Sequence, residues 1–207
     1  MELVIETATA ACSVALILGE DLVGERHEIV GRGHAERLLP LIEALLGGRR
    51  PDSILVDCGP GSFTGIRVGL AAAHGLRIGW NVPLAGFSSA ALLAVQGGQG
   101  DGGACDGGDM AIAIAAGHGQ LFVQSFRNDP LAATDALRSL PPDAAALVIG
   151  ARLVLGSGAV ALVAARGHGE AADLVPRAAD ARFLPAALRA LPPRPIYGRP
   201  PDAKPMS

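Results

Sequence analysis

Apolar residues open the chain in short bursts separated by small or polar breaks, a spacing that predicts strands and tight turns. Leu3 to Ile5 is the first burst and Cys12 to Leu18 the second, set apart by Thr7-Ala8-Thr9-Ala10-Ala11. Leu22 to Val30 mixes apolar and charged residues as an edge strand does. The three predict an antiparallel meander. The pattern then changes period. Positions 35, 38, 39, 41, 42, 45 and 46 fall on one arc of roughly 160° when wound at the helical repeat, which predicts a helix over 34–46. That arc is wider than one sheet needs to cover. Pro40 removes one backbone hydrogen bond and predicts a bend, and Gly47-Gly48 predicts the stop.

Ser53 to Cys58 reads as a further strand. It runs into Gly59-Pro60-Gly61-Ser62-Phe63-Thr64-Gly65, a turn that opens a second helix from Thr64 to Trp80. Small residues recur four apart in that helix, at Gly65 and Gly69 and again at Ala71, Gly75 and Gly79. Each helical glycine costs about 1 kcal/mol against alanine, so the reason for them is steric: another backbone comes close. Val82 to Ala85 predicts a strand and Ser88 to Val95 a short helix, with Ser88 or Ser89 as cap. Gly97 to Asp109 is almost entirely Gly, Asp, Gln, Ala and Cys and predicts a flexible linker. Met110 to Ala116 and Leu121 to Phe126 echo the opening strands, which points to two related halves. Further on, Leu147 to Ile149 and Leu153 to Leu155 are strand-like, Ala181 to Leu191 predicts a helix despite Pro185, and the proline-rich stretch from Pro192 predicts an irregular tail. The expected division is a first lobe over 1–96, a linker over 97–109, a smaller second lobe over 110–191 and a tail over 192–207.

Composition narrows the classes. Half of the 207 residues are apolar, enough for one sizeable core or two small lobes. A net charge of −3 argues against an extensive basic face for nucleic acid, and 3% aromatic content leaves little surface for stacking bases. Cys12, Cys58 and Cys105 form no C-x-x-C pair, so buried free thiols in a reducing cytoplasm are expected. The opening residues read as a strand rather than a signal peptide, and the apolar runs are shorter than the ~18 residues of a membrane span.

Two stretches carry candidate chemistry. Gly59, Gly61, Ser62, Thr64 and Gly65 form a glycine turn at a helix start, where unbonded amides and the helix dipole suit an anion, with Arg67 one turn in. The plainer reading of the same residues is a strand-to-helix turn with a hydroxyl cap. No Gly-Lys-Ser/Thr follows, so this is not a Walker loop. Glu6-Thr7-Ala8-Thr9 ends the first strand and reads either as a metal or phosphate contact or as a polar turn. The histidines at 27, 34, 74, 118 and 168 have no metal-pair spacing, and no Gly-x-Ser-x-Gly elbow appears.

Four strings stand in a familiar order: Glu6-Thr-Ala-Thr-Ala-Ala-Cys-Ser-Val-Ala-Leu, His34-Ala-Glu-Arg-Leu-Leu-Pro, Gly59-Pro-Gly-Ser-Phe-Thr-Gly-Ile-Arg-Val-Gly and Val82-Pro-Leu-Ala-Gly-Phe-Ser-Ser. Together with Pro195-Ile-Tyr-Gly-Arg-Pro-Pro-Asp-Ala-Lys, they resemble the TsaB (YeaZ) family. The resemblance covers roughly residues 2 to 96, with a weaker echo at 110 to 126. It implies an α/β fold of the actin-like ASKHA (ribonuclease H-like) kind, with two lobes of mixed sheets flanked by helices. It implies a non-catalytic, cytoplasmic subunit that binds and activates the paralogue TsaD, which threonylcarbamoylates the tRNA adenosine next to the anticodon. TsaE, an ATPase, joins the pair, and a homodimer is expected when TsaD is absent.

tRNA is then met mainly through TsaD. No cofactor is expected on this chain alone, and ATP or ADP is a candidate at the interface with TsaD. The family pairs through first-lobe helices, which makes His34, Leu38, Leu41, Leu45, Arg67, Leu70 and His74 the expected interface. A charge at Leu38 or Leu45 is expected to break the complex. Where the paralogue carries a His-x-x-x-His metal pair, this chain has Ser89 and Leu93, so neither a metal site nor a catalytic residue is expected. An independent ATP-dependent or peptidase-type enzyme of the same fold is the competing reading. Two departures stand out: Glu6 replaces the family's usual Asp, and Ala115-Ala116-Gly117 replaces Asp-Ala-Arg.

Overall fold

A computed structural model describes residues 1–99 and 108–196. The opening meander is β1 (Glu2–Glu6), β2 (Ala11–Leu18) and β3 (Asp21–Ile29), followed by α1 (His34–Leu46) and β4 (Ser53–Asp57). Next come α2 (Phe63–Trp80), β5 (Leu84–Phe87) and α3 (Ser89–Gln99). These strands form one mixed sheet in the order β3-β2-β1-β4-β5. β1 pairs antiparallel with β2 and parallel with β4, and β4 pairs parallel with β5.

The second half repeats the plan. β6 (Met110–Ala115), β7 (Leu121–Arg127), β8 (Ala132–Ala133), β9 (Arg138–Leu140), α4 (Pro142–Val148), β10 (Leu153–Leu155), α5 (Ala159–Arg166) and β11 (Glu170–Ala172) follow in turn. The sheet order is β11-β10-β6-β7-β8, with β9 on β7. Here β6 pairs antiparallel with β7 and parallel with β10, as β1 does with β2 and β4. The two halves expected from the echoed strands are therefore present as a repeated topology.

Strand alternation builds a layered core. Leu3 and Ile5 of β1 face α1 and α2, together with Leu38, Leu41, Ile42, Leu45, Ile66 and Leu70. Val4 faces the opposite way, into a central cluster shared by both sheets. α3 fills that cluster with Ala90 to Val95, and Met110, Ile112 and Ile114 meet it from the second sheet. Ala111 and Ala113 of β6 face outward under α4 and α5, with Ala145, Ala159 and Leu162. The result is helices, sheet, helix, sheet, helices.

Several expectations change. α3 runs on through Gly97 to Gln99, beyond the expected helix end at Val95 and into the expected linker. Gly97 is there for closeness: a Cβ on it would lie 2.2 Å from Leu155 Cδ1. Residues 100–107 of that linker lie outside the described residues. Leu147 to Ile149 is not a strand, because the Pro141-Pro142 step starts α4 and carries Leu147 and Val148 in its last turn. Ala181 to Leu191 is not one helix. It is two 3-10 pieces, at Ala178–Phe183 and Ala186–Leu188, broken where Pro185 lacks an amide hydrogen.

Residues 178–184 and Leu191 to Ile196, expected in the second lobe and the tail, reach the first sheet. Ala178, Ala179, Ala181 and Leu184 enter the central cluster. Gly86 and Leu191 exchange backbone hydrogen bonds, and the Ile196 amide donates to the Cys58 carbonyl at 2.8 Å. The Ala178 amide donates to Ser13 Oγ at 3.0 Å, and Arg189 pairs with Glu2. This segment is a strap across the first lobe.

Candidate functional site: the β1–α2 junction and the cleft above it

The hairpin between β1 and β2 sits directly under the start of α2. A Cβ on Gly61 would lie 2.0 Å from the Ala8 carbonyl oxygen, and one on Gly65 would lie 2.0 Å from that of Thr7. A Cβ on Gly69 would meet Thr7 Oγ1 at 2.3 Å. No side chain larger than hydrogen fits at these three places, so α2 lies on the hairpin backbone to backbone. The small residues of α2 thus divide by face. Gly65 and Gly69 seat the helix on its own lobe, while Ala71, Gly75 and Gly79 are exposed, with open space at both glycines.

Three donors of the glycine turn, the amides of Gly59, Ser62 and Gly65, are used within the chain. The Ser62 amide donates to the Ala8 carbonyl at 2.6 Å, and Ser62 Oγ caps the helix by accepting from the Gly65 amide at 3.2 Å. Gly59, at φ 93, donates to Asp57 Oδ1 at 2.6 Å. Of the four amides that any helix start leaves over, Ser62 and Gly65 are engaged here. The structural joint is therefore the main role of Gly59, Gly61, Ser62 and Gly65, and of the expected anion set Gly61, Ser62 and Arg67 face the cleft. Thr64 is exposed.

Beneath the turn lie two buried carboxyls, Glu6 at the end of β1 and Asp57 at the end of β4. Glu6 Oε1 accepts from the Ala8 amide at 2.7 Å. Asp57 Oδ1 accepts from the amides of Gly59 at 2.6 Å and Ser89 at 3.1 Å. Burial first, then the neighbouring Asp57, push the Glu6 carboxyl well above its ordinary range. Burial lifts Asp57 to about 7 against the pull of its backbone donors. The role of Asp57 was missed in the sequence. Its only signal there is an acidic residue closing the apolar run Ile54 to Val56, the same place Glu6 holds after Leu3 to Ile5 in β1.

A cleft of about 970 Å³ opens between the two halves. Its walls are mostly apolar, including Ile66, Leu93, Ile114, Phe122 and Leu174, with Thr9, Ser62, Arg67 and His118 at polar points. The Arg67 guanidinium lies 3.2 Å from the centroid of the Phe63 ring. Ala115, Ala116 and Gly117 line the second-half wall, so the polar side chains of an Asp-Ala-Arg start are replaced by small surfaces.

The expected interface set requires correction. His34, Leu38, Leu41, Leu45 and Leu70 are buried in this chain's own core, Leu38 to 1% exposure. His34 Nε2 bonds the Ala11 carbonyl at 2.9 Å. His74 is half-buried and its Nε2 bonds the Pro193 carbonyl at 3.2 Å, so it holds the strap. A charge at Leu38 or Leu45 would therefore unfold the lobe rather than report on a partner. Of the set, Arg67 is exposed. The surplus of the broad apolar arc is instead Leu39, 53% exposed, and α2 exposes Ile78 to 80%. The apolar arc of one helix cannot separate Leu38 from Leu39; the position of the sheet does.

Ser89 and Leu93 are fully buried. Ser89 Oγ donates to the Pro60 carbonyl at 2.6 Å, and Leu93 packs in the central cluster. Among the described residues no group of three or more His, Cys, Asp or Glu could hold a metal ion. Cys12 and Cys58 are buried free thiols that burial raises to about 11 and about 12, which leaves them unreactive near neutral pH. Cys105 lies outside the described residues. Among those residues no helix is long and apolar enough to cross a membrane.

Two mixed sheets of one repeated topology, stacked around a central helix with a cleft between them, define the actin-like ASKHA class of the ribonuclease H-like fold. The family model described as "TsaD: tRNA N6-adenosine threonylcarbamoyltransferase" matches residues 23–140. The tRNA threonylcarbamoyladenosine biosynthesis protein TsaB of Escherichia coli is 36% identical over 61% of this chain and 55% of its own length. An uncharacterized protein of Mycobacterium bovis is 31% identical over 99% of this chain and 94% of its own. The solved structure of YeaZ from Pseudomonas aeruginosa superposes with a TM-score of 0.78 at 26% identity, over 95% of this chain and 98% of that one. The chain belongs to the TsaB (YeaZ) family. The matched segment spans little more than half of the Escherichia coli relative.

Proposed function

We propose that this chain serves threonylcarbamoyladenosine synthesis on tRNA as a non-catalytic subunit that pairs with, and activates, a TsaD-type transferase. The observation that carries the reading is the outer face of α1 and α2. Leu39, Ala71, Gly75, Ile78 and Gly79 are exposed, apolar and small, and α2 exposes glycines whose helix cost nothing within the chain offsets. A second helix pair fits such a face, because missing side chains let backbones approach. The paralogue supplies one by the same topology, and a second copy of this chain would do so when the paralogue is absent. The burial of Ser89 and Leu93 supports leaving catalysis to the partner. The tRNA, a TsaE-type ATPase, and ATP or ADP at the interface belong to the assembled complex in this reading. Ser62 and Arg67, which line the cleft, are the residues that would reach a phosphate.

Gly75→Glu tests it cleanly. Gly75 has open space around it, so the substitution leaves the fold intact while placing a charge in the centre of the face. Sedimentation velocity of the chain with the TsaD-type protein of the same cells should show a heterodimer for the native chain and separate species for the variant. An unchanged heterodimer would move the interface off this face. No heterodimer with the native chain would remove the reading.

A further inference from the structure

Glu6 and Asp57 close neighbouring strands. β1 and β4 run parallel with Glu2 beside Ser53 and Ile5 beside Val56, and one further step of that register sets Glu6 beside Asp57. Both residues are buried. The inner oxygen of each takes backbone amides, but Glu6 Oε2 and Asp57 Oδ2 are buried with no hydrogen-bond partner. Two carboxylates here would place like charges side by side out of water, a costly arrangement. Among the described residues no Lys, Arg or His acts on either carboxyl. Other groups close by are neutral: the Cys12 thiol on β2, the Cys58 thiol after β4, the Thr7 hydroxyl bonded to the Gly65 carbonyl, and the Ser89 hydroxyl at the start of α3. α2 presents Gly65, Ile66 and Gly69 inward, and α1 presents His34, which is committed to the Ala11 carbonyl.

One proton removes both faults. We propose that Glu6 and Asp57 share a single proton at neutral pH, carried on Glu6 and donated to Asp57, and that this acid–carboxylate bond latches the β1–β2 turn to the start of α3. The assignment of the charge to Asp57 follows from its surroundings. Asp57 accepts from two amides, Glu6 from the Ala8 amide, and Asp57 also lies at the positive end of α3. When the proton leaves to water, two adjacent negative charges push the strand ends apart. The Thr7–Ala8 turn that seats Gly61, Gly65 and Gly69 moves with them. The latch is thus a proton-linked support under α2, and it stands independently of any partner.

The test is carboxyl-carbon NMR on the full chain, titrated from about pH 4 to about pH 9. Expected are a Glu6 carboxyl still in its acid form at neutral pH, an Asp57 that ionises ahead of it, and two coupled steps rather than two independent ones. Glu6→Gln supplies a permanent neutral donor in place of the protonated Glu6, so the upper step should vanish while the Asp57 midpoint stays close to the lower step of the native chain. Ionisation of both carboxyls below about pH 5 in the native chain would overturn the proposal. So would a Mg²⁺-dependent shift of either resonance, which would make the pair a cation site. If Glu6→Gln does not fold, the native titration decides alone.

Discussion

Thr7 donates its hydroxyl to the carbonyl oxygen of Gly65 at 2.9 Å, while the Thr7 carbonyl occupies the space where a Gly65 side chain would begin. One residue of the hairpin thus both bonds α2 and forbids it a Cβ. The glycines of the turn, which invite an anion-binding reading, are explained first by this contact.

Glycines on the two faces of α2 should respond with opposite sign. Gly69→Ala forces a Cβ to 2.3 Å from Thr7 Oγ1 and should destabilise by about 1–3 kcal/mol. Gly75→Ala meets nothing within 4 Å and should stabilise by about 0.5–1 kcal/mol through helix propensity. Urea denaturation midpoints at constant slope compare the two directly.

Leu38 and Leu39 should separate folding from association. Leu38→Ala removes a core side chain and should cost about 2–5 kcal/mol. Leu39→Asp changes an exposed position and should alter monomer stability by about 0.5 kcal/mol or less, while reducing recovery of the TsaD-type partner in a co-purification. Loss of partner binding in neither variant that still folds would place α1 outside the interface.

Stability should fall as pH rises through neutrality. Burial raises Asp57 to a folded pKa of about 7, and burial together with Asp57 holds Glu6 well above the ordinary carboxylate range. A raised acid binds more protons folded than unfolded, so its contribution is fully present below about pH 4 and is lost through about pH 7 and above, at up to about 1.4 kcal/mol per pH unit per proton. Exposed Glu28, lowered by Arg37, acts in the opposite sense and only at acid pH. Denaturation midpoints from mildly acid to mildly basic buffer should decline across the whole range for the native chain, while for Glu6→Gln the decline should stop at about pH 7.

The strap should loosen when Ser13 loses its hydroxyl. Ser13→Ala leaves the buried Ala178 amide without its acceptor, a loss of about 1–3 kcal/mol. Amide hydrogen exchange should rise at Ala178 and its neighbours before it rises in β1. Uniform protection across both would make the strap a bystander.

The first half is legible because its central strands are short apolar bursts buried on both faces and α1 carries one broad apolar arc. β1 through α2 and the meander follow from apolar bursts and the glycine stop at Gly47. The second half is less so: Leu153 to Leu155 reads as the strand it is, but β11 is three residues, too short to show a period, and Leu147 to Ile149 reads as a strand because Leu147 and Val148 are apolar yet exposed. The strap escaped notice because what fixes 178–196 is distant: Ser13, Glu2, Gly86 and Cys58. At the site, the glycine turn was visible as a motif but its two meanings were not separable. Deciding between them required knowing that the hairpin of residues 7–8 lies beneath it. Glu6 and Asp57 are 51 residues apart and acquire their relation from strand pairing alone.

Chain order and mechanical order differ in this molecule. The segment that follows the second sheet returns to bind the first, so the last described residues close a ring that begins at Glu2. Pulling the halves apart would first have to peel Leu191 from Gly86 and Ala178 from Ser13, and the cleft can open only as far as that tether allows. A fragment cut after residue 96 would lack its own closing piece, leaving the Gly86 edge and the Ser13 hydroxyl bare, and would behave as an unfinished sheet prone to pair with the next one it met.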